Sequence, residues 1–314
     1  MAAQQTLRET EHRAEVAAPP EALYRLVAEV DEATRVFAST LHVEHLERSE
    51  DGTDELIRIW GNGGVKARSW TSRRRLDEGA LRLRFGQERP REPIAEMSGE
   101  WLFDPLPGGG TLVRLTHAYR AIDDDPAALR EIDDLVERTS AAQLAALGDA
   151  AEREAAHPGL RVQVQQSVAV AAPAAAVYRL LHDVADWPLL LPRLAEVRAV
   201  ESPGSDGVRT VTARAKGPDG AERTEEWAQV CLPGRMIAFK RLSPDPCTST
   251  HTGYWEVAPR AGGGTTLTGR HVFTLSPGED GRTLDRATLR AAAGQENIGL
   301  LENVRARAEQ RTQP

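Results

Sequence analysis

Apolar and polar positions along this chain follow two periods, and the whole pattern runs twice. Arg13-Ala-Glu-Val16 alternates at every second residue, which predicts a strand. Pro19-Pro20 then opens a stretch where Ala22, Leu23, Leu26, Val27 and Val30 recur at helical spacing; proline's fixed φ suits a first helical turn. From about residue 42 to 120, short strand-like runs are broken by Glu50-Asp-Gly52, Gly61-Asn-Gly-Gly64, Asp77-Glu-Gly79 and Pro107-Gly-Gly-Gly110. Such spacing predicts an antiparallel meander. A long helical pattern, Asp125 to Glu154, closes the half. The second half repeats the order: a strand over Val162–Val168, Pro173, helical Val177, Leu180, Leu181 and Val184, then turns at Gly204, Gly217-Pro-Asp-Gly220, Pro233-Gly234 and Gly262-Gly-Gly264. A helix from about Thr283 to Glu309 ends it.

The repeat extends to residues. Trp101, Gly108-Gly-Gly-Thr111 and His117 return as Trp255, Gly262-Gly-Gly-Thr265 and His271, an offset of 154 (255 − 101). The same offset pairs Ala17-Ala-Pro19 with Ala171-Ala-Pro173, and Tyr24-Arg-Leu26 with Tyr178-Arg-Leu180. A period this long is a duplicated domain, since solenoid repeats run about 20–50 residues. The expected organisation is α+β, with domains over 1–155 and 160–314 and a linker over 156–159.

Composition narrows the function. A net charge of −8 and a pI near 5.6 argue against nucleic acid as a partner, which needs a concentrated basic surface. Cys231 and Cys247 make no disulfide framework, so a reduced, cytoplasmic setting is expected. The start of the chain lacks a signal-peptide pattern, and no apolar run approaches the ~18 residues of a membrane span. Histidines fall without HxH, HExxH or CxxC spacing, so no metal is expected.

Strand parity selects residues for an interior. Val113, Leu115, His117 and Tyr119 share one face, as do Leu267, His271, Phe273 and Leu275, so both histidines are expected to point inward. A core histidine bonded to a carbonyl is the other reading of each. If Trp70 and Leu76 face in, Ser72 and Arg74 do so too, while Arg73 and Arg75 face out. A guanidinium among apolar groups is costly unless it binds something, and it suits a row of carbonyl oxygens. Alternatively, Lys66, Arg68 and Arg73–Arg75 are a solvated basic edge. The corresponding second-half stretch, Trp227-Ala-Gln-Val-Cys231, has no arginine, and Gln229 and Cys231 are expected inward. Arg241 shares parity with Ile237 and Phe239 and matches Gln87; His251 matches Met97. On the closing helices Gln143 is matched with Asn297, each a turn before a leucine, as amides that orient a ligand or as ordinary polar positions.

The element order, with Val16-Ala-Ala-Pro19, Trp70-Thr-Ser-Arg-Arg74 and Trp101…Thr111…His117, resembles the helix-grip (START-like, Bet v 1-like) fold. More narrowly, both halves resemble the didomain aromatase/cyclases of bacterial type II polyketide synthesis. The resemblance implies a curved sheet wrapped around a long helix and an internal cavity. It implies an enzyme with no cofactor that closes the first ring of a ketoreduced poly-β-ketone by aldol chemistry, between the seventh and twelfth carbons, and then dehydrates it. Arg74 becomes the pocket arginine that stabilises oxyanions and His117 the proton shuttle. Trp70, Ser72, Met97, Tyr119, Gln143, Trp227, Arg241, His251 and His271 become substrate-binding candidates. The implied partners are an acyl carrier protein bearing the chain, with a ketoreductase and minimal polyketide synthase as pathway neighbours. The alternative from another class is a non-catalytic carrier of a hydrophobic ligand, because the fold alone does not decide function.

Overall fold

The computed structural model describes residues 7–62, 67–217, 220–276 and 285–311. The chain divides into two units, 1–158 and 159–314. The first runs β1 (Arg8–Val16), α1 (Pro20–Ala28), α2 (Val30–Val36), β2 (Thr40–Arg48), β3 (Asp54–Asn62), β4 (Ala67–Asp77), β5 (Arg82–Gln87), β6 (Ile94–Pro105), β7 (Thr111–Ala121) and α3 (Pro126–Ala156). The second runs β8 (Arg161–Val170), α4 (Ala174–His182), α5 (Trp187–Leu190), β9 (Leu194–Glu201), β10 (Val208–Lys216), β11 (Glu222–Leu232), β12 (Met236–Arg241), β13 (Thr248–Pro259), β14 (Thr265–Leu275) and α6 (Arg286–Gln310). Each unit is a seven-stranded antiparallel sheet, in the order β1-β7-β6-β5-β4-β3-β2 and β8-β14-β13-β12-β11-β10-β9. The closing helix packs on the first and last strands of its own sheet and on the first helix. This is the helix-grip fold, twice.

Local chemistry accounts for the elements. Pro20 opens α1 inside its first turn, and Pro173 stands at the N-cap of α4. Asp125 caps α3 by accepting from the Ala127 amide at 2.9 Å, and Asp285 caps α6 through the Thr288 amide at 2.9 Å. The helical run after β1 is split in two, because Glu29 is extended (ψ 115°) and ends α1. Helix α3 continues through Ala156, into the segment expected as linker. The expected start of the last helix, Thr283, lies outside the described residues. Gly110 and Gly264 hold φ of 82° and 78°, where a side chain is strained and its Cβ would lie 2.7 Å and 2.6 Å from the carbonyls of Val16 and Val170.

The duplication is not a uniform shift. Phe85 and Phe239 keep the offset of 154, but Phe85 pairs with Arg74 whereas Phe239 pairs with Gln229. Gln229, rather than Cys231, is therefore the counterpart of Arg74. On the closing helices, Glu152 accepts from the Ala17 amide and Glu309 from the Ala171 amide, an offset of 157 (309 − 152). That register sets Ser140 against Asn297, Leu144 against Leu301 and Leu147 against Val304, all buried. The expected match of Gln143 with Asn297 is corrected by three residues; Gln143 is half-buried on α3.

Candidate active site

The inner face of the first sheet carries Ser72 and Arg74 on β4, Met97 and Trp101 on β6, and His117 and Tyr119 on β7. Alternation along β7 is strict, with every second residue from Thr111 to Ala121 buried. Arg74 is buried and has partners on two sides. Its guanidinium makes an ion pair with Glu55, which stands opposite it on β3, with Nε 2.5 Å from Oε1. Nη1 donates to the Val27 carbonyl at 3.0 Å and Nη2 to the Ala28 carbonyl at 2.6 Å, so the arginine also caps the end of α1. Glu55 further meets His45 Nε2 at 2.7 Å. Burial lowers the Arg74 pKa, and Glu55 opposes that shift. Arg74 thus faces inward as expected from parity, with Glu55 and two helix carbonyls as its hydrogen-bond acceptors.

His117 is differently placed. It is buried, meets the Phe85 ring edge-to-face at 5.5 Å, and its Nδ1 has no hydrogen-bond partner among the described residues. Burial, then the nearby His12, pushes its pKa down to about 4. The imidazole is neutral at physiological pH, the state a general base needs. Tyr119 donates to Asp133 on α3 at 2.6 Å, and burial raises its pKa to about 12, so it is a helix-to-sheet tie. Met97 faces Tyr119 across the strands and accepts from Gln87 Nε2 at 3.6 Å. Ser72 donates to the Gly86 carbonyl at 3.3 Å, and Trp70 is half-buried over Gly61.

The second unit holds a partly open cavity of about 50 Å³ lined by aromatic rings and a histidine pair. His251 Nε2 and His271 Nδ1 lie 2.9 Å apart. Trp227 meets His251 edge-on at 4.9 Å, Phe239 packs on both histidines, and Phe273 stacks on His251 at 3.9 Å. His271 Nε2 and Asn297 Oδ1 are both buried, and Asn297 is the polar side chain that acts on the imidazole. Burial pushes the His271 pKa down to about 4, with Asn297 opposing, and holds His251 well below the ordinary histidine value, helped by His271. Two neutral imidazoles share one bridging proton and keep one more between their outer nitrogens. Such a pair offers a donor at one end and an acceptor at the other.

Arg241 lines no open space as a free cation. It donates to Asp245 at 2.6 Å and Ser243 at 3.1 Å and lies over the Trp227 ring. Residues unforeseen from sequence complete the wall. Arg193 donates to Glu296 at 2.9 Å and Glu225 at 3.0 Å, and all three border the cavity. Arg193 follows a proline outside any periodic segment, so neither parity nor helical spacing could single it out. Glu225 shares the parity of Trp227 and was legible on that ground. Among the described residues, no cluster of His, Cys, Asp and Glu has metal-site geometry.

Sheet and closing helix define a helix-grip protein with polar groups in its interior. The family described as polyketide cyclase/dehydrase and lipid transport matches residues 8–152 and 161–309, one match per unit. The chain belongs to that family and, with its two tandem domains, is a didomain aromatase/cyclase of polyketide antibiotic biosynthesis. It is 35% identical to the granaticin polyketide synthase bifunctional cyclase/dehydratase of Streptomyces violaceoruber, over 98% of this chain and 95% of that one. It is 35% identical to the actinorhodin polyketide synthase bifunctional cyclase/dehydratase of Streptomyces coelicolor, over 85% and 83%. Among solved structures it resembles the di-domain aromatase/cyclase BexL of the BE-7585A pathway, with a TM-score of 0.82, 35% identity, and coverage of 98% and 100%. StfQ of the steffimycin pathway follows with a TM-score of 0.80, 28% identity, and coverage of 96% and 99%. No described helix is long and apolar enough to cross a membrane.

Proposed function

We propose that this enzyme takes a poly-β-ketone already reduced at one ketone, closes its first ring between the seventh and twelfth carbons, and dehydrates it. Ring closure needs a proton removed from a carbon between two carbonyls, attack of the resulting carbanion on another ketone, and protonation of the alkoxide. Dehydration removes a second carbon-bound proton and protonates the departing hydroxyl, which leaves as water. Atoms and charges balance without redox change, so the reading needs no cofactor. Holding the chain in one fold and moving protons is the whole task.

The observation that carries this reading is the His251–His271 pair within a cage of aromatic rings. Its two ends can accept the carbon-bound proton and deliver one to the leaving hydroxyl, which is the chemistry of dehydration. His117, neutral and with Nδ1 unbonded among the described residues, suits the single deprotonation that starts ring closure. Arg74 serves ring closure as a positioning residue, fixing α1 against the sheet. A uniformly apolar lining would have favoured a passive carrier. The substrate is proposed to arrive on an acyl carrier protein, with a ketoreductase and a minimal synthase acting beforehand. Supplying the reduced chain with a substoichiometric amount of enzyme tests this. Multiple turnovers to the ring closed between the seventh and twelfth carbons are expected. One equivalent of retained chain per protein, with an unchanged product profile, would make the protein a carrier.

A further inference from the structure

The second unit has a cleft of about 720 Å³ between α4 and the end of α6, lined by residues that include Arg179, His182, Arg209 and Arg311. Its origin is legible by setting the two units side by side. In the first, Arg25 donates to Glu154 at 2.8 Å, and Arg35 pairs with both Glu154 and Glu32. That corner is therefore neutralised. In the second, Arg179 replaces Arg25 at the offset of 154, whereas the closing-helix register of 157 puts Arg311 where Glu154 stands. A carboxylate has become a guanidinium.

The floor of the cleft has changed in the same sense. Arg74 and Glu55 of the first unit correspond to Gln229 and Arg209 in the second, so the buried cation has moved to the neighbouring strand. Its acceptor has become an amide, Gln229 Oε1, at 3.0 Å. Arg209 is 2% exposed, and its Nη2 makes no hydrogen bond among the described residues. Three carboxylates remain near the cleft, but only Asp186 is hydrogen-bonded to one of its arginines. Glu201 is 3.9 Å from Arg209, Asp186 pairs with Arg311, and Asp183 lines the cleft while accepting from the Ala185 amide. An unsatisfied buried guanidinium is costly, and an anion relieves the cost.

We infer that this cleft binds a phosphate ester. Three guanidinium groups from three elements suit the several terminal oxygens of a phosphate. The volume exceeds that of a bare phosphate and admits an organic group against Pro173, Ala176 and Leu180. The site lies outside the histidine cavity and stands independently of the ring-closing reading. The phosphate has two sources, a free phosphate and the prosthetic arm of a carrier, and the test separates them.

Calorimetric titration of the full chain in phosphate-free buffer with phosphopantetheine, pantetheine and inorganic phosphate tests the inference. Phosphopantetheine is expected to bind at one site, with pantetheine weaker by about tenfold or more. Arg311→Glu, which restores the first unit's carboxylate on an exposed position, and Arg179→Ala should each weaken binding by about tenfold or more. Arg25→Ala should leave it unchanged. Inorganic phosphate binding weakly supports an ester with its arm; binding as tight as phosphopantetheine's would overturn the organic part of the site. Equal binding of pantetheine, or undiminished binding by the Arg311 and Arg179 variants, would overturn the inference entirely.

Discussion

Arg74 and Arg73 are neighbours in sequence with opposite environments, and the contrast gives a direct stability test. Deleting the Arg74 side chain leaves Glu55 buried and two helix carbonyls unpaired. We expect Arg74→Ala to cost about 3–5 kcal/mol, the usual consequence of breaking a buried pair. Arg73 is half exposed, with Glu88 and Glu47 as surface partners, so Arg73→Ala should stay within about 0.5 kcal/mol. Urea midpoints measure both, and an unshifted midpoint for Arg74→Ala would show that the pair contributes nothing. Activity losses in Arg74 variants must be compared at equal folded fraction. The three inward histidines predict a pH dependence. An unfolded histidine titrates near about 6.5, whereas His117 and His271 are held at about 4 and His251 also lies well below the ordinary value. Between these values the unfolded chain binds more protons, so stability rises with pH there. The contribution is complete above about pH 6.5 and is lost as pH falls toward 4. A urea midpoint that stays flat between about pH 6.5 and 4.5 would contradict it.

At the level of elements, alternation made the inward faces of β4, β7 and β14 readable, because which face a strand residue occupies is a local property. What each inward residue touches is not local. The Arg74–Glu55 pair depends on how β3 pairs with β4, and the His251–His271 bond depends on β13 beside β14. The three-residue shift between closing helices escaped because one offset was carried through a segment where lengths differ. It moved Asn297 into correspondence with Ser140. Gly99 and Gly253 show a signal that was present but unused. Each lies under a phenylalanine, and an added Cβ would stand 2.5 Å from the Phe85 ring and 2.2 Å from the Thr116 carbonyl, or 2.6 Å from the Phe239 ring and 2.1 Å from the Arg270 carbonyl. Gly253→Ala should cost about 1–3 kcal/mol through overpacking and displace Phe239 from the two histidines. Thermal unfolding together with histidine NMR shifts would detect both, and wild-type values for both would contradict the packing account.

On the scale of the whole molecule, duplication kept the scaffold and released the two interiors to diverge. The first unit keeps a neutralised Arg74 and a lone His117; the second has a linked histidine pair and an Arg209 lacking a full partner set. The basic edge read from Lys66, Arg68, Arg73 and Arg75 has the charge to meet an acidic carrier, although Arg73 is already paired with Glu88 and Lys66 lies outside the described residues. If Arg68 and Arg75 still steer docking, turnover of carrier-tethered substrate should fall as salt rises. Salt-independent turnover would remove that edge from the docking account. The central claim is the division of acid–base work between the two interiors. Product analysis of full-length His117→Phe and His271→Phe, fed the same reduced chain, addresses it most directly. We predict that His117→Phe yields unclosed or misfolded-chain products, while His271→Phe accumulates the closed ring with its hydroxyl retained. Ring closure intact in His117→Phe and abolished in His271→Phe would contradict the assignment.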